Sequence, residues 1–232
     1  MYRTFYLPRR FAQLPEMPLR VRVWGDFPKL PFLAVVGSRR PTQTAVSSVP
    51  WIVDAAVSSG WALLSGGARG VDCEVHRECL RRGGITSVVL GSGLDRPYPP
   101  EHAGLFRKVV EQGGCVLSEY EDDAPPRPWR FPRRNRLISG FSNAVMVVQA
   151  AEKSGGLITA RIAADVHGKT VLAVPGSVGS TEWAGSNRLL RDGALLVAEA
   201  EDLVAALALL QPSAEADAKQ DQEDTRSRQK DG

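Results

Sequence analysis

The sequence has 232 residues, of which 43% are hydrophobic and 24% are charged, and its formal net charge at pH 7 is +3. This composition is that of an ordinary globular protein and excludes collagen-like, low-complexity and fully disordered chains. No apolar run is long enough to cross a bilayer, and the first residues lack an apolar signal core, so we predict neither a membrane segment nor secretion. Three cysteines without C-x-x-C spacing predict reduced thiols in a cytoplasmic protein and no metal site.

Composition divides the chain into three parts. Residues 1–30 are rich in proline and irregular, and we predict an N-terminal extension that packs on the core. Residues 31–210 form the predicted domain. Residues 211–232 hold six acidic and four basic side chains and few apolar ones, which predicts a disordered polar tail. The other residues, 1–210, therefore carry a net charge of +5, which permits a polyanionic partner without requiring one.

Short apolar runs alternate with stretches of helical pattern along the domain. The predicted strands are Leu19–Trp24, Phe32–Gly37, Trp61–Gly66, Thr86–Gly91, Cys115–Tyr120, Asn143–Ala150, Lys169–Gly176 and Ala194–Val197. The predicted helices are one ending at Ser59 with Pro50 in its first turn, then Val71–Arg82, Glu101–Gln112, Leu157–His167, Asn187–Asp192 and Glu201–Leu210.

Strands that are apolar on both faces are typical of a sheet covered on both sides, and alternation with helices favours parallel pairing. We therefore predict an α/β fold with an extended Rossmann-like, doubly wound, mostly parallel sheet and helices on both faces. Ligands of such sheets bind outside the carboxyl ends of the strands, near the point where the strand order reverses.

Glycine and serine cluster where predicted strands end and helices begin. The loops concerned are Gly37–Thr42, Ser65–Asp72, Gly91–His102, Ala150–Ala160 and Pro175–Asn187. A glycine in any one of them is explained by a tight turn alone. Five such loops, three of which include Arg39, Arg69 or Lys153, favour phosphate binding, because glycine lets backbone N–H groups approach an anion.

Several enzymatic patterns are absent. The sequence has no G-x-G-x-x-G and no G-x-x-x-x-G-K-[ST], so we expect no dinucleotide cofactor and no P-loop ATP hydrolysis. Asp72 and His76 have the spacing of an acid/base pair on one helix face, but we favour a structural role. In that role Asp72 accepts hydrogen bonds from loop amides near the start of the helix and His76 packs on the helix face. We therefore predict a binding protein, with no catalytic residue and no cofactor.

The stretch RPWRFPRRNRLISG, residues 127–140, follows the strand that ends near Tyr120 and is predicted to be a basic loop leading into a helix. Guanidinium groups bind phosphates, and aromatic rings stack on the bases of single strands. Arg134, Asn135 and Arg136 are the predicted strand contacts, with Phe131 as a stacking residue. Trp129 is equally well explained by packing.

An ordered set of motifs runs along the chain: MPLRVRVWGD, VVGSRRPT, SGGARGVDCEVH, VLGSGLDRPYPPEH, LSEY, FPRRNRLISG, SGGLITA, AVPG and SNRLLRDGA. In this set the sequence resembles the DprA/Smf family of bacterial DNA-processing proteins. The resemblance has implications for fold and function. It implies a Rossmann-like domain that binds and protects single-stranded DNA, forms a homodimer and helps to load a RecA-type recombinase during natural transformation. It does not imply an enzyme.

The resemblance also implies positions for a DNA pocket. These are Gly37, Ser38, Arg39, Ser65, Gly66, Arg69, Gly70, Arg134, Asn135, Arg136, Ser154, Gly155 and Thr159, to which the residue pattern adds Phe131 and Lys153. Arg39→Ala and Arg134→Ala are each expected to weaken DNA binding with little loss of folding.

An alternative is a nucleotide-binding sensor or an enzyme like the lysine-decarboxylase-like phosphoribohydrolases. Those enzymes use a P-G-G-x-G-T-x-x-E pattern, and the stretch EKSGGLITARI lacks both the G-T step and the following glutamate.

Overall fold

The computed structural model describes residues 1–212. Its strands are β1 (Tyr2–Tyr6), β2 (Arg20–Gly25), β3 (Phe32–Val36), β4 (Ala62–Ser65), β5 (Thr86–Val89), β6 (Cys115–Ser118), β7 (Ala144–Val147), β8 (Thr170–Ala173) and β9 (Leu195–Leu196). Its α-helices are α1 (Arg9–Ala12), α2 (Gln43–Ser58), α3 (Val71–Arg81), α4 (Ala103–Glu111), α5 (Arg130–Phe141), α6 (Gly155–Arg161), α7 (Ala184–Arg191) and α8 (Ala200–Leu210). A 3-10 turn, Pro100–His102, precedes α4, and a π-helical turn, Ile162–Val166, follows α6.

All nine strands form one sheet in the order β1-β2-β6-β5-β4-β3-β7-β8-β9. From β6 to β9 the pairing is parallel, and β3 lies between β4 and β7, so that Leu33 pairs with Leu63 on one side and Ala144 on the other. The chain builds the sheet outward from β3 in one direction and then returns to place β7 on the other side. The strand order therefore reverses between β3 and β7, which confirms the predicted doubly wound, mostly parallel sheet.

The alternating side chains of β3 belong to two separate hydrophobic layers. Phe32, Ala34 and Val36 pack in the layer that contains α5 and α6. Leu33 and Val35 pack in the layer that contains α2, α3 and α8. Both faces of the sheet are thus covered by helices, which explains why the central strands are apolar throughout.

The first thirty residues contribute strands to the sheet itself. Strand β2 pairs antiparallel with β6, and β1 pairs antiparallel with β2. The sequence indicated β2 but not β1. The segment YRTFY of β1 has only partly buried and exposed residues, because β1 is an edge strand, and its apolar alternation is correspondingly weak.

The helix expected over Leu157–His167 is α-helical only to Arg161 and continues as the π-helical turn, and the one expected over Asn187–Asp192 begins already at Ala184. Helices α2 and α5 differ in other ways. Helix α2 has 16 residues and is capped at its start by Thr42. Pro50 is its eighth residue, so the prediction that Pro50 lies in the first turn is wrong. Helix α5 begins at Arg130, so most of the expected basic loop is helical. Pro132 allows this early start, because a first-turn residue needs no intrahelical N–H bond.

Other expectations concern the ends and the thiols. Within residues 1–212, no helix is long and apolar enough to cross a membrane. Cys73, Cys79 and Cys115 are buried free thiols. The predicted disordered tail, residues 211–232, lies outside the described residues from position 213 onward.

Replacing Pro50 by alanine is expected to stabilise the protein. Pro50 is exposed and lacks the N–H that an interior helical residue donates, so Pro50→Ala should raise the free energy of unfolding by about 1 kcal/mol or more. Urea titration measures this change. Ser47→Ala, at an exposed position of the same helix, is the matched control and should add at most ~0.5 kcal/mol. A Pro50→Ala protein no more stable than the control would contradict the expectation.

Candidate nucleic-acid interface

A cleft of 510 Å³ opens where the strand order reverses, between the loop after β3 and the loop before α6. We call it the switch-point cleft. Ten of the predicted site residues line it: Gly37, Ser38, Arg39, Phe131, Arg134, Asn135, Lys153, Ser154, Gly155 and Thr159. Of the remaining five, Ser65 is the last residue of β4, and Gly66, Arg69 and Gly70 lie in the loop that follows it. Arg136 does not line the cleft and donates to Glu119 instead. The fold therefore gathers most of the predicted set at one place.

Two glycines bring the loop after β3 against the start of α3. A Cβ atom on Gly37 would lie 2.7 Å from Val71 Cγ2, and one on Gly70 would lie 2.3 Å from the Ser38 carbonyl oxygen. Gly70 also has a φ of +80°, a conformation that glycine adopts without strain. Val71 N then donates to the Ser38 carbonyl at 3.1 Å. These positions require glycine for close backbone approach, and that packing forms one wall of the cleft.

The opposite wall is the loop that leads into α6. Ser154 caps this helix, and its hydroxyl oxygen accepts from Leu157 N at 3.3 Å. Asn135 Nδ2 donates to the Gly155 carbonyl at 3.2 Å, which ties α5 to the loop. Thr159 Oγ1 donates to the same carbonyl at 3.3 Å. Asn135 and Thr159 therefore position the glycine loop, while Ser154 sets where the helix begins.

The charge of the cleft is positive. Among the described residues, no carboxylate forms an ion pair with Arg39, Arg40 or Lys153, all of which line it. Asp72 also lines it, but the carboxylate of Asp72 is buried. Three cations without an internal partner make a surface that attracts anions.

A buried aspartate and a buried arginine flank the backbone of Gly66. Asp72 Oδ2 accepts from Gly66 N at 3.1 Å and from Ala68 N at 3.4 Å. Arg134 Nη1 donates to the Gly66 carbonyl at 2.8 Å and also to the Val89 carbonyl. Burial lowers the pKa of Arg134 to about 10, against the opposing attraction of Asp72, and the side chain stays protonated at neutral pH. Burial likewise raises the pKa of Asp72, an effect that Arg134 and the amide hydrogen bonds oppose.

Asp72 accepts hydrogen bonds from loop amides, as the structural interpretation predicts, and the burial of His76 supports the same interpretation. His76 is fully buried, and its Nδ1 lies 2.7 Å from Thr86 Oγ1. Desolvation by burial, assisted by the nearby His102, lowers the pKa of His76 to about 3. A histidine that is neutral and shut off from the cleft is unsuited to acid/base chemistry there.

The structure changes what is expected of two predicted arginines. Arg134 is only 4% exposed and is engaged with backbone carbonyls, so its loss should damage the fold, contrary to the expectation that it affects binding alone. Arg136 is buried and donates to both carboxylate oxygens of Glu119, at 3.0 and 2.6 Å. Both side chains secure α5 to the sheet.

Aromatic rings lie beside the cleft. The Phe131 and Tyr98 ring centroids are 5.4 Å apart at an angle of 54°. The Arg39 guanidinium lies over Phe131 at 5.8 Å from its centroid, and that of Arg69 over Tyr98 at 5.9 Å. Sequence reasoning missed Tyr98, although the R-P-Y-P-P stretch in a loop at a strand end was a usable signal. Sequence reasoning also missed Arg40, because it selected only Arg39 from the loop after β3.

The comparisons with known proteins agree with this geometry. A family model described as DNA recombination-mediator protein A matches residues 2–208. The chain belongs to the DprA/Smf family. It is 41% identical over 202 residues to Protein Smf of Escherichia coli (strain K12). That alignment covers 86% of this chain and 54% of the E. coli protein. It is 37% identical over 171 residues to DNA processing protein DprA of Bacillus subtilis (strain 168), covering 74% of this chain and 57% of that one.

Solved DprA structures share the architecture. That of Streptococcus pneumoniae superposes with a TM-score of 0.80 at 32% identity, covering 88% of this chain and 74% of that one. A Helicobacter pylori DprA structure, which concerns the single-stranded DNA binding mode of that protein, superposes with a TM-score of 0.80 at 28% identity. The match covers 91% of this chain and 98% of that one. A molybdenum cofactor binding protein of Rippkaea orientalis gives 0.56 at 15% identity, covering 78% of this chain and 98% of that one, and this likeness shows the fold alone.

The chain spans about half the length of curated DprA/Smf relatives such as those of E. coli and B. subtilis. What those whole proteins do is therefore a matter for proposal.

Removing the Arg134 side chain is expected to destabilise the fold strongly. Arg134→Ala leaves the Asp72 carboxylate buried without its counter-charge and frees two carbonyls, which should cost about 3–5 kcal/mol of unfolding free energy. The neighbouring Arg133, whose side chain is 57% exposed and 3.8 Å from Glu119, provides the control. Arg133→Ala should change stability by less than ~1 kcal/mol. Urea unfolding distinguishes the two variants, and equal small losses would contradict the buried role of Arg134.

The buried histidine predicts a loss of stability in acid. The pKa of His76 is about 3 in the fold and about 6.5 in the unfolded chain. The unfolded state therefore binds more protons between these values, and stability falls as pH drops through that window. From pH 7 to pH 5 this residue should account for about 2 kcal/mol. His76→Gln, which cannot titrate, should lose less stability over the same interval in urea titrations. An identical pH dependence in the two proteins would show that His76 contributes nothing.

Proposed function

We propose that this protein binds single-stranded DNA in the switch-point cleft. The observation that carries the proposal is the combination of cations and aromatic rings at the cleft. Arg39, Arg40 and Lys153 line it and form no ion pair with a carboxylate among the described residues. Phe131 also lines the cleft, and Tyr98 lies next to Phe131. Single strands are held by this combination, in which cations bind the phosphates and rings stack on the bases.

The wider role follows the family. As a DprA-type mediator, the protein would protect single-stranded DNA and help to load a RecA-type recombinase during DNA uptake and natural transformation in the cytoplasm. The family description as a recombination mediator supports this role. The H. pylori DprA structure, which concerns single-stranded DNA binding, supports DNA as the ligand.

We also propose that the protein acts as a homodimer. Strand β9 is the last strand of the sheet, and its two residues, Leu195 and Leu196, are 46% and 54% exposed. An exposed apolar edge strand is prone to pairing with another chain, which supports self-association through this edge. Light scattering of the purified protein measures the mass directly.

The proposal includes no catalytic activity and no cofactor. Hydrolysis of a nucleotide in the cleft would need a base, and Asp72, the carboxylate that lines it, accepts hydrogen bonds from two loop amides. The phosphoribohydrolase alternative is tested by incubating the protein with nucleoside monophosphates. Release of free base with robust turnover would overturn the binding proposal.

Binding of a single-stranded oligonucleotide should weaken steeply with salt, because bound phosphates release counterions into solution. At two salt concentrations, the affinity for a single strand should exceed that for a duplex of the same length. Arg39→Ala should weaken binding about tenfold and reduce the dependence on salt, since one phosphate contact is lost.

Arg81→Ala is the matched control for this titration. Arg81 is 67% exposed on α3 and pairs with Glu78, and it lines neither the switch-point cleft nor the loop after β4. The two variants lose the same charge, so an equal effect would indicate attraction by net charge rather than a site. Absent or salt-insensitive binding by the unmodified protein would contradict the proposal altogether.

A further inference from the structure

A second surface lies at the amino ends of the parallel strands, at the end of the sheet opposite the switch-point cleft. Two adjoining cavities of 440 and 90 Å³ form it. Both cavities are lined by Arg10, Phe27, Pro28 and Lys29. The smaller one also includes Phe32, the first residue of β3, and Lys169, which directly precedes β8. We call the two cavities together the Phe27 groove.

The floor of the Phe27 groove is a cluster of aromatic rings. The Phe27 ring stacks on that of Phe5, with the centroids 5.4 Å apart and an angle of 9° between the rings. It also makes edge contacts with Phe11 and Phe32, at centroid distances of 5.9 and 5.5 Å. These contacts hold the loop between β2 and β3 against the first thirty residues, so the groove has a fixed floor.

The charge of the groove is positive. Its lining includes four cations and one carboxylate, which are Arg3, Arg10, Lys29, Lys169 and Asp26. Asp26 is already paired, because its Oδ1 lies 2.7 Å from Arg3 Nη2. Among residues 1–212, no carboxylate forms an ion pair with Lys29 or Lys169. Partial burial lowers the pKa of Lys169, and a carboxylate placed beside it would offset that cost of desolvation.

The last residue that the structure describes, Pro212, lies in this groove. It lines the smaller cavity together with Lys29 and Lys169. The residue before it, Gln211, donates from Nε2 to the Ser59 carbonyl at 3.1 Å, which fixes the path of the chain after α8. The residues that follow Pro212 in the sequence are therefore attached to the chain inside the groove.

The sequence after Pro212 has the complementary charge. Residues 213–224 contain five acidic side chains and one basic one, whereas residues 225–232 contain three basic side chains and one acidic one. The five acids are Glu215, Asp217, Asp221, Glu223 and Asp224. Glu215 follows Pro212 by three residues, which puts it within about 10 Å of Pro212 at full extension. The acidic half is thus the half that is joined to the groove.

We propose that the Phe27 groove binds the acidic segment of this same chain, residues 213–224, through ion pairs with Lys29 and Lys169. Covalent attachment at Pro212 gives the segment a high effective concentration at the groove, which favours it over a segment of a second copy. Docking does not depend on the proposed DNA binding. It covers cations and rings that are otherwise open to polyanions, and this leaves the switch-point cleft as the place where a single strand is attracted.

The test is zero-length cross-linking of the full chain with a carbodiimide, which joins a carboxylate to an amine only when the two groups are in contact. Mass spectrometry of the digested protein identifies the residues that are joined. Cross-links from residues 213–224 should form mostly to Lys29 and Lys169, and rarely to Lys108 on α4 or to Lys153 in the switch-point cleft. High salt should lower the yield at both groove lysines, because it screens exposed ion pairs.

Proximity to Pro212 alone also favours Lys29, so variants at Lys169 separate binding from proximity. Lys169→Gln removes one groove cation and should lower the yield at Lys29 about threefold, the scale of one partly exposed ion pair. Lys169→Arg keeps the charge and should leave the yield at Lys29 unchanged. The matched control is Lys108→Gln, which removes the same charge from an exposed position on α4 and should also leave it unchanged.

A variant in the acidic segment completes the design, because it cannot disturb the lining of the groove. Glu215→Gln combined with Asp217→Asn removes the two acids next to Pro212. It should lower the yield of cross-links from Asp221 and the acids after it to Lys29, since the segment is then held less firmly.

Three results would overturn the proposal. Equal yields at Lys29 in Lys169→Gln and the unmodified protein would show a segment that is near the groove without binding to it. A higher yield at Lys153 than at Lys29 would place the segment in the switch-point cleft instead. In a mixture of isotope-labelled and unlabelled protein, cross-links of mixed mass would assign the segment to a second copy, whereas cross-links within one mass support the same chain.

Discussion

The interaction on which the site depends is the buried pairing of Asp72 and Arg134 across the backbone of Gly66. The aspartate accepts from the amide that begins the loop after β4, and the arginine donates to the carbonyl of the same residue. Asp72 is 7% exposed and Arg134 is 4% exposed, so each charge depends on the other and on these hydrogen bonds. A charged pair in such a place fixes a loop that would otherwise be free to move.

The same pairing positions the aromatic residues. Phe131 and Arg134 are three residues apart on α5 and therefore lie on the same side of the helix. A Cβ atom on Gly66 would lie 2.5 Å from Arg134 Nη2, and one on Gly91 would lie 2.9 Å from Phe131 Cδ1. The glycines that follow β4 and β5 thus leave space for two side chains of α5. The glycine-rich loops therefore serve packing, and the phosphate binding that the sequence pattern also favours stays a prediction.

The arginines of the basic stretch, residues 127–140, differ in role from those of the loop after β3. Arg134 is buried and donates to two backbone carbonyls, Arg136 is buried and paired with Glu119, and both secure α5. Arg39 and Arg40, from a different loop, remain available at the cleft. The basic stretch is therefore mainly a structural element, and it presents Phe131 to the site.

The sequence by itself determined the sheet and predicted where the candidate site lies. Apolar runs that alternate with helices predict a parallel, doubly wound sheet, and such a sheet places its ligand at the carboxyl ends of its strands for reasons of topology alone. Ten of the predicted residues line the cleft at that end.

Only the tertiary structure decided which cations are free and which rings face each other. The sequence does not show whether an arginine is buried beside a carboxylate or exposed at a surface. That Arg136 lies beside Glu119 and that Arg134 is buried near Asp72 is known only from the tertiary structure, which brings these distant segments together. Tyr98 and Phe131 are likewise far apart in sequence, and their contact exists only because α5 packs across the end of β5.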